Sequence, residues 1–119
     1  MGPITLVPFV KDLMLGSKFK GLETAGFEIQ APNWTDPAAG IDPERSVLVV
    51  DCNLSSPDPK ILISACRRAY PQVPIIGFVS HVDVASRQAA EAAGATAVYP
   101  RSKFFGQASE LLRAHFHKK

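Results

Sequence analysis

Val47-Leu48-Val49-Val50-Asp51-Cys52-Asn53 is the stretch on which the fold turns. Four uncharged, mostly β-branched residues in a row read as a strand. A strand without polar alternation is one covered on both faces, as in a parallel sheet. Working outward, Ser55-Ser56-Pro57-Asp58-Pro59 predicts a turn. The helix after it is expected to bury Ile61, Leu62, Ala65, Cys66 and Ala69 and to stop near Tyr70-Pro71. Pro74 introduces another apolar run, Ile75 to Val79, and Ile4 to Phe9 is a third. Short strands alternating with helical segments on both sides of residues 47–50 specify a parallel sheet layered by helices.

The rest of the chain keeps that rhythm with one exception. Asp12 is placed to cap a helix carrying Leu15, Phe19 and Leu22 at helical spacing, and Gly26 to end it. Phe27-Glu28-Ile29 begins the second strand. Asp83 opens an alanine-rich helix that ends at Gly94, and Ala97-Val98-Tyr99 is a short fifth strand. Ser102 then caps a final helix from Lys103 to about Phe116. The exception is residues 31–45, where Pro32, Pro37, Pro43 and Gly40 surround Trp34 and exclude a long helix. Asp36-Pro37 and Asp42-Pro43 each predict one helical turn with proline at its first position, so a short or irregular connection is expected. Five strands and five helical segments in 119 residues amount to one α/β domain over residues 1–119, doubly wound and flavodoxin-like. In such sheets the working crevice lies at the carboxyl ends of the strands. Attention falls on the loops after Phe9, Asp51, Val79 and Tyr99.

Composition narrows the function classes. A net charge of +2, with scattered basic residues, is too small to argue for nucleic acid. The pairs Arg67-Arg68 and Lys118-Lys119 read as solvated surface. No apolar run reaches the ~18 residues of a membrane span, and Met1-Gly2-Pro3-Ile4 lacks the basic region of a signal peptide. Cys52 and Cys66 are too few and too far apart for a disulfide framework or a zinc site. A reducing cytoplasm is expected, with no membrane and no nucleic-acid partner. Cys52 reads as a small core residue, His115 and His117 as tail residues, and Gly16-Ser17-Lys18 lacks the leading glycine of a phosphate-binding loop.

Three stretches resemble the receiver domain of two-component response regulators. Leu22-Glu23-Thr24-Ala25-Gly26-Phe27-Glu28-Ile29 resembles the end of the receiver's first helix with its second strand. Arg67-Arg68-Ala69-Tyr70-Pro71-Gln72-Val73-Pro74-Ile75-Ile76 resembles its third helix running into strand four. Ala92-Ala93-Gly94-Ala95, followed by a short strand and a cation, resembles its fourth helix and fifth strand. With Val47 to Asp51 these pieces span nearly the whole chain in order, and the resemblance implies a CheY-like fold. A working receiver resembles a small magnesium-dependent autophosphorylating enzyme. It needs an acidic pair after strand one, an aspartate after strand three, a hydroxyl after strand four and a lysine after strand five. Magnesium wants oxygen ligands and neutralises the phosphoryl oxygens during attack.

The resemblance places the phospho-acceptor at Asp51, but the acidic-pair positions fall on Phe9 and Val10. Arg101 falls on the lysine position, where a planar guanidinium does not simply replace an ammonium. The hydroxyl position falls on Val79, with Ser80 next, and the reporting aromatic on Val98, with Tyr99 next. A one-residue offset in a strand turns a side chain to the other face. The expectation is a pseudo-receiver with its magnesium site lost, no cofactor and no catalysis of its own. It acts as a stand-alone signalling module. Two alternatives stand beside it: a phosphorelay receiver that accepts phosphate on Asp51 through a remodelled site, and a small-molecule or anion sensor. For the sensor, Ser80, His81, Arg101 and Ser102 are the crevice candidates, converging at the sheet edge with the start of the last helix. On the last helix Phe104, Ala108, Leu111 and His115 form one face and Phe105, Leu112 and Phe116 another. Two apolar stripes against one sheet face predict that Phe105, Leu112 and Phe116, extended by Tyr99, bind a protein partner or a second copy through helix four, strand five and helix five.

Overall fold

The computed structural model describes residues 2–80 and 83–117. Strands β1 (Thr5–Phe9), β2 (Glu28–Ile29), β3 (Ser46–Asp51), β4 (Ile75–Val79) and β5 (Ala97–Pro100) form one sheet in the order β2-β1-β3-β4-β5, all parallel. The order reverses between β1 and β3, so the switch-point crevice lies between the ends of Phe9 and Asp51. β3 pairs on both edges and is buried at every residue, as its unbroken apolar run requires. Pro8 cannot donate a ladder bond. It is tolerated because β2 pairs only with Thr5 and Leu6, leaving the far half of β1 an edge on that side.

Helix α1 (Leu13–Gly21) starts at Asp12, whose carboxylate accepts from the amides of Met14 and Leu15, and runs into a 3-10 turn over Leu22–Ala25 closed by Gly26 at φ 94°. Helix α2 (Pro59–Ala69) is capped by Asp58 with proline at its first position, and α3 (Val84–Ala93) by Asp83. Its end is Gly94, at φ 126°. Residues 31–45 form no helix. Each expected helical turn is a single hydrogen-bonded turn, Ala39 N–H to Asp36 O and Arg45 N–H to Asp42 O. Trp34 and the Tyr70 hydroxyl, which donates to Ala38 O, hold this segment against the sheet where a helix would otherwise lie.

Two layers cover the sheet. Val7, Phe9, Leu48, Val50, Ile75 and Val98 pack under α2 and α3. Leu6, Val47, Val49, Ile76 and Phe78 pack under α1 and the C-terminal helices, where Phe19, Phe78 and Phe104 cluster. The phase of α2 differs from expectation. Leu62, Ile63 and Cys66 are buried, Ile61 is 67% exposed and Ala69 is exposed. Three apolar residues in a row leave the phase open, and Cβ direction from the sheet decides it.

The last helix is two. Helix α4 (Arg101–Gly106) begins with Pro100 as its cap residue and no side-chain capping bond, so Ser102 is not a cap. Helix α5 (Ala108–His117) follows a break at Gln107. The break brings Phe104, Ala108 and Leu112 onto one buried line. At the opposite end of the sheet Arg67 ties the end of α2 to the loop before β4 and the turn before β5. Its guanidinium donates to the carbonyls of Gly94 (2.9 Å), Tyr70 (3.0 Å), Pro71 (2.9 Å) and Val73 (2.7 Å) and to Thr96 Oγ1 (3.1 Å). Burial lowers its pKa from the ordinary arginine value. Among the described residues no helix is long and apolar enough to cross a membrane.

Candidate functional site

Asp51 ends β3 and is 7% exposed. Its Oδ1 accepts from Asn53 N–H at 2.9 Å, a turn that bends the chain away from the sheet. Asn53 in turn accepts from Ser80 N–H through its Oδ1 at 2.7 Å, tying the loop after β3 to the loop after β4. Cys52 lies beneath. A Cβ at Gly77 would stand 2.7 Å from its sulfur, so the glycine makes room for the thiol. Burial, then the charge of Asp51, pushes the Cys52 thiol up to about 11. It is a packing group with no thiolate character at neutral pH.

The positions matched to the acidic pair are apolar in fact as well as in sequence. Phe9 is fully buried and meets Trp34 edge-on, with ring centroids 5.6 Å apart, while Val10 packs into the other layer. The Lys11 ammonium sits 4.9 Å over the Trp34 ring and donates to Ser56 O at 2.6 Å, so a fixed cation spans from the loop after β1 to the loop after β3. Asp12, the next acid, is engaged as the α1 cap. Among the described residues no three His, Cys, Asp or Glu side chains converge as a metal site would require.

Ser80, Arg101 and Ser102 do come together, lining a cleft of about 530 Å³ with Lys18, Phe105 and Gly106. His81 lies outside the described residues, as does the pair Lys118-Lys119. Among the described residues no ion pair joins Arg101 to Asp51, and Arg101 Nε is buried without a hydrogen-bond partner. Its guanidinium carbon stands 6.0 Å from the Phe78 ring centroid. Lys18 was set aside in the sequence with Gly16-Ser17-Lys18 and was not expected in this cleft. Its place in α1, 62 positions before Ser80, carries no local signal, and only the packing of α1 beside α4 brings it in. Val79 and Val98 face α2 and α3, whereas Tyr99 faces the C-terminal helices and hydrogen-bonds His115 Nε2 through its hydroxyl at 2.6 Å. The offset residue is on the opposite face from Val98, as strand geometry demands.

The expected outward stripe on the last helix is not formed. Leu112 is fully buried. Phe105 is half-buried among Phe19, Phe78 and Phe104, and Phe116 and Tyr99 are half-buried against the same layer. The large apolar side chains left in water are elsewhere: Leu13, Met14, Ile61 and Val84. All four occupy the first turns of α1, α2 and α3, at the same end of the sheet as Asp51.

Solved structures share this architecture along almost the whole chain. A response regulator from Thermotoga maritima matches with a TM-score of 0.78 at 16% identity, over 98% of this chain and 99% of that one. The Vibrio cholerae chemotaxis protein CheY4 matches with a TM-score of 0.80 at 16% identity, over 95% and 98%. The receiver domain of a sensor histidine kinase from Pseudomonas aeruginosa PAO1, a structure with a magnesium ion coordinated in the active-site cleft, matches with a TM-score of 0.76 at 16% identity, over 98% and 99%. No protein-family model matches the chain, and no curated protein sequence does. The chain therefore has the CheY-like fold of response-regulator receiver domains.

Proposed function

We propose that this chain is a receiver-fold signalling module that acts by binding a protein partner, a second copy included, and not by magnesium-dependent phosphoryl transfer to Asp51. Phe9 carries the reading. Its ring, 0% exposed and edge-on to Trp34, fills the place that a receiver gives to an acid. A magnesium ion needs several oxygen ligands, and here the Asp51 carboxylate is already held by Asn53 while Asp12 holds two amides of α1. The Lys11 ammonium bound to Ser56 O adds a like charge that repels a divalent cation. These donors do not fit the ion, and no step is routed through it.

Contact then carries the signal. Leu13 (91% exposed), Met14 (75%), Ile61 (67%) and Val84 (63%) lie in the first turns of α1, α2 and α3 at the crevice end of the sheet, and exposed apolar surface at one end supports docking there. This moves the favoured docking face from the last helix to the carboxyl ends of the strands. A cytoplasmic setting belongs to the same reading, supported by the free thiols of Cys52 and Cys66. The test is an amide NMR titration with magnesium and beryllofluoride. The expected spectrum is unchanged at Asp51, Asn53 and Ser80. Shifts confined to those amides, and lost in Asp51→Asn, overturn the reading in favour of a phosphorelay receiver.

A further inference from the structure

A second cleft lies at the amino ends of the strands, the end of the sheet away from Asp51. It holds about 530 Å³ between the turn that leads into β3, at Pro43 and Glu44, and the end of α2 with the loop into β4, at Ala69, Tyr70, Pro71 and Gln72. Both walls are fixed from behind. The Tyr70 hydroxyl donates to Ala38 O, which ties the end of α2 to the irregular segment 31–45. The Arg67 guanidinium holds the carbonyls of Tyr70, Pro71 and Val73, and the two proline rings add their own stiffness. The turn before β3 sorts its charges. Arg45 reaches away to Glu28 at 3.6 Å, whereas Asp42 and Glu44 form no ion pair among the described residues. Among those residues Glu44 is also the only charged group that lines the cleft. Arg67, behind the opposite wall, has its donors committed to carbonyls, and Arg68 is exposed outside the lining.

We propose that this cleft docks an extended basic segment of a partner protein, with a lysine as its anchor. The long alkyl stem of that lysine lies along the rings of Pro43, Tyr70 and Pro71, and its ammonium meets the Glu44 carboxylate. An acidic segment is turned away by Glu44 and Asp42. A free amine is not the occupant. Sites for small molecules enclose most of the ligand, whereas Pro43, Glu44, Ala69, Pro71 and Gln72 are all exposed. An open, rigid groove suits a chain whose far side stays in water, and its fixed walls lower the ordering cost of binding. The surface is separate from the apolar residues at the crevice end, so the chain presents a docking face at each end of its sheet.

The probe is an acetylated and amidated peptide, alanine-proline-lysine-proline-alanine, titrated into the chain and followed by amide NMR. The flanking prolines keep it extended. Saturable shifts are expected at Glu44, Tyr70, Gln72 and Val73, and none at Asp51, Asn53 or Ser80. Replacing the lysine by norleucine keeps an apolar stem and drops the charge, and should weaken binding about threefold, the worth of one exposed ion pair. Glu44→Gln should weaken the lysine peptide by the same factor and leave the norleucine peptide unchanged. Ala69→Arg sets a cation of the chain's own in the cleft, at an exposed helix end that favours one. It should abolish binding in a protein that remains folded by circular dichroism. Shifts that never saturate, equal binding of a glutamate-for-lysine peptide, or binding unchanged in Ala69→Arg overturn the proposal. So does n-butylamine binding as tightly as the peptide, which would assign the cleft to a small amine. Cleft shifts that appear on raising the protein concentration alone also overturn it, since the occupant would then be a second copy.

Discussion

Arg67 and Arg101 sit at opposite ends of the same sheet and have been treated in opposite ways. Arg67 spends its donors on four carbonyls and a hydroxyl, joining the end of α2 to the turn before β5. Gly94 gives it room, for a Cβ there would stand 2.8 Å from the arginine's own Cβ and Cγ. Among the described residues Arg101 has no such acceptors, and its Nε is buried without a hydrogen-bond partner. The difference separates a guanidinium that clamps two loops together from one that packs on an aromatic face.

The comparison breaks first at Arg67. Arg67→Ala strands several carbonyls at once and should lower unfolding stability by roughly 2–4 kcal/mol in a denaturant titration. A loss below about 1 kcal/mol, within the range of a single ordinary hydrogen bond, would mean that the clamp is decorative. Asp51→Ala removes one hydrogen bond, to Asn53 N–H, and should cost about 1 kcal/mol while leaving a folded chain by circular dichroism. Failure to fold would make Asp51 an anchor on a par with Arg67. Arg101→Gln should shift stability by no more than about 0.5 kcal/mol, because among the described residues it loses no hydrogen bond. A large loss there would erase the contrast between the two arginines.

The smallest effect is a titration. The Ser86 hydroxyl donates to Asp83 Oδ2 at 2.8 Å and, with the Ser86 amide, holds the Asp83 carboxyl below its ordinary pKa. A lowered carboxyl contributes stability above the usual aspartate range and loses it as pH falls through the lowered value. Ser86→Ala should therefore move the Asp83 titration up towards the ordinary value, as read by NMR of the carboxyl carbon. No movement would show that the amides alone set it.

The strands and helix caps were legible in the sequence because their signals are local. The clamp was not: Arg67 reads in sequence as solvated surface, and the structure instead sets it among four carbonyls brought there by folding. Val47 to Val50 and Ile75 to Val79 announce themselves by β-branched continuity, and Asp12, Asp83, Gly26 and Gly94 sit where caps belong. The single aspartate after β3 and the apolar Phe9-Val10 pair were also readable, since each is a matter of residue type at a strand end. The cleft was half legible. Ser80, Arg101 and Ser102 follow strand ends, but Lys18 enters through the packing of one helix beside another. The division of the last helix was signalled by Gly106, a helix-weakening residue inside an apolar pattern. Without the sheet in view, nothing told which side of Gln107 would turn. Leu112 accordingly passed for an outward residue although it is buried.

Trp34 has a consequence for how this protein can be watched. It is the chain's single tryptophan, fixed between the ring of Phe9 and the ammonium of Lys11. Any event that displaces Lys11 from Ser56 O or tilts Phe9 must change the electrostatic field on that indole. The molecule thus carries its own optical reporter beside the loop after β1, and emission from the unlabelled chain is expected to change with any event that moves Lys11 or Phe9. The clamp end holds no tryptophan and stays dark.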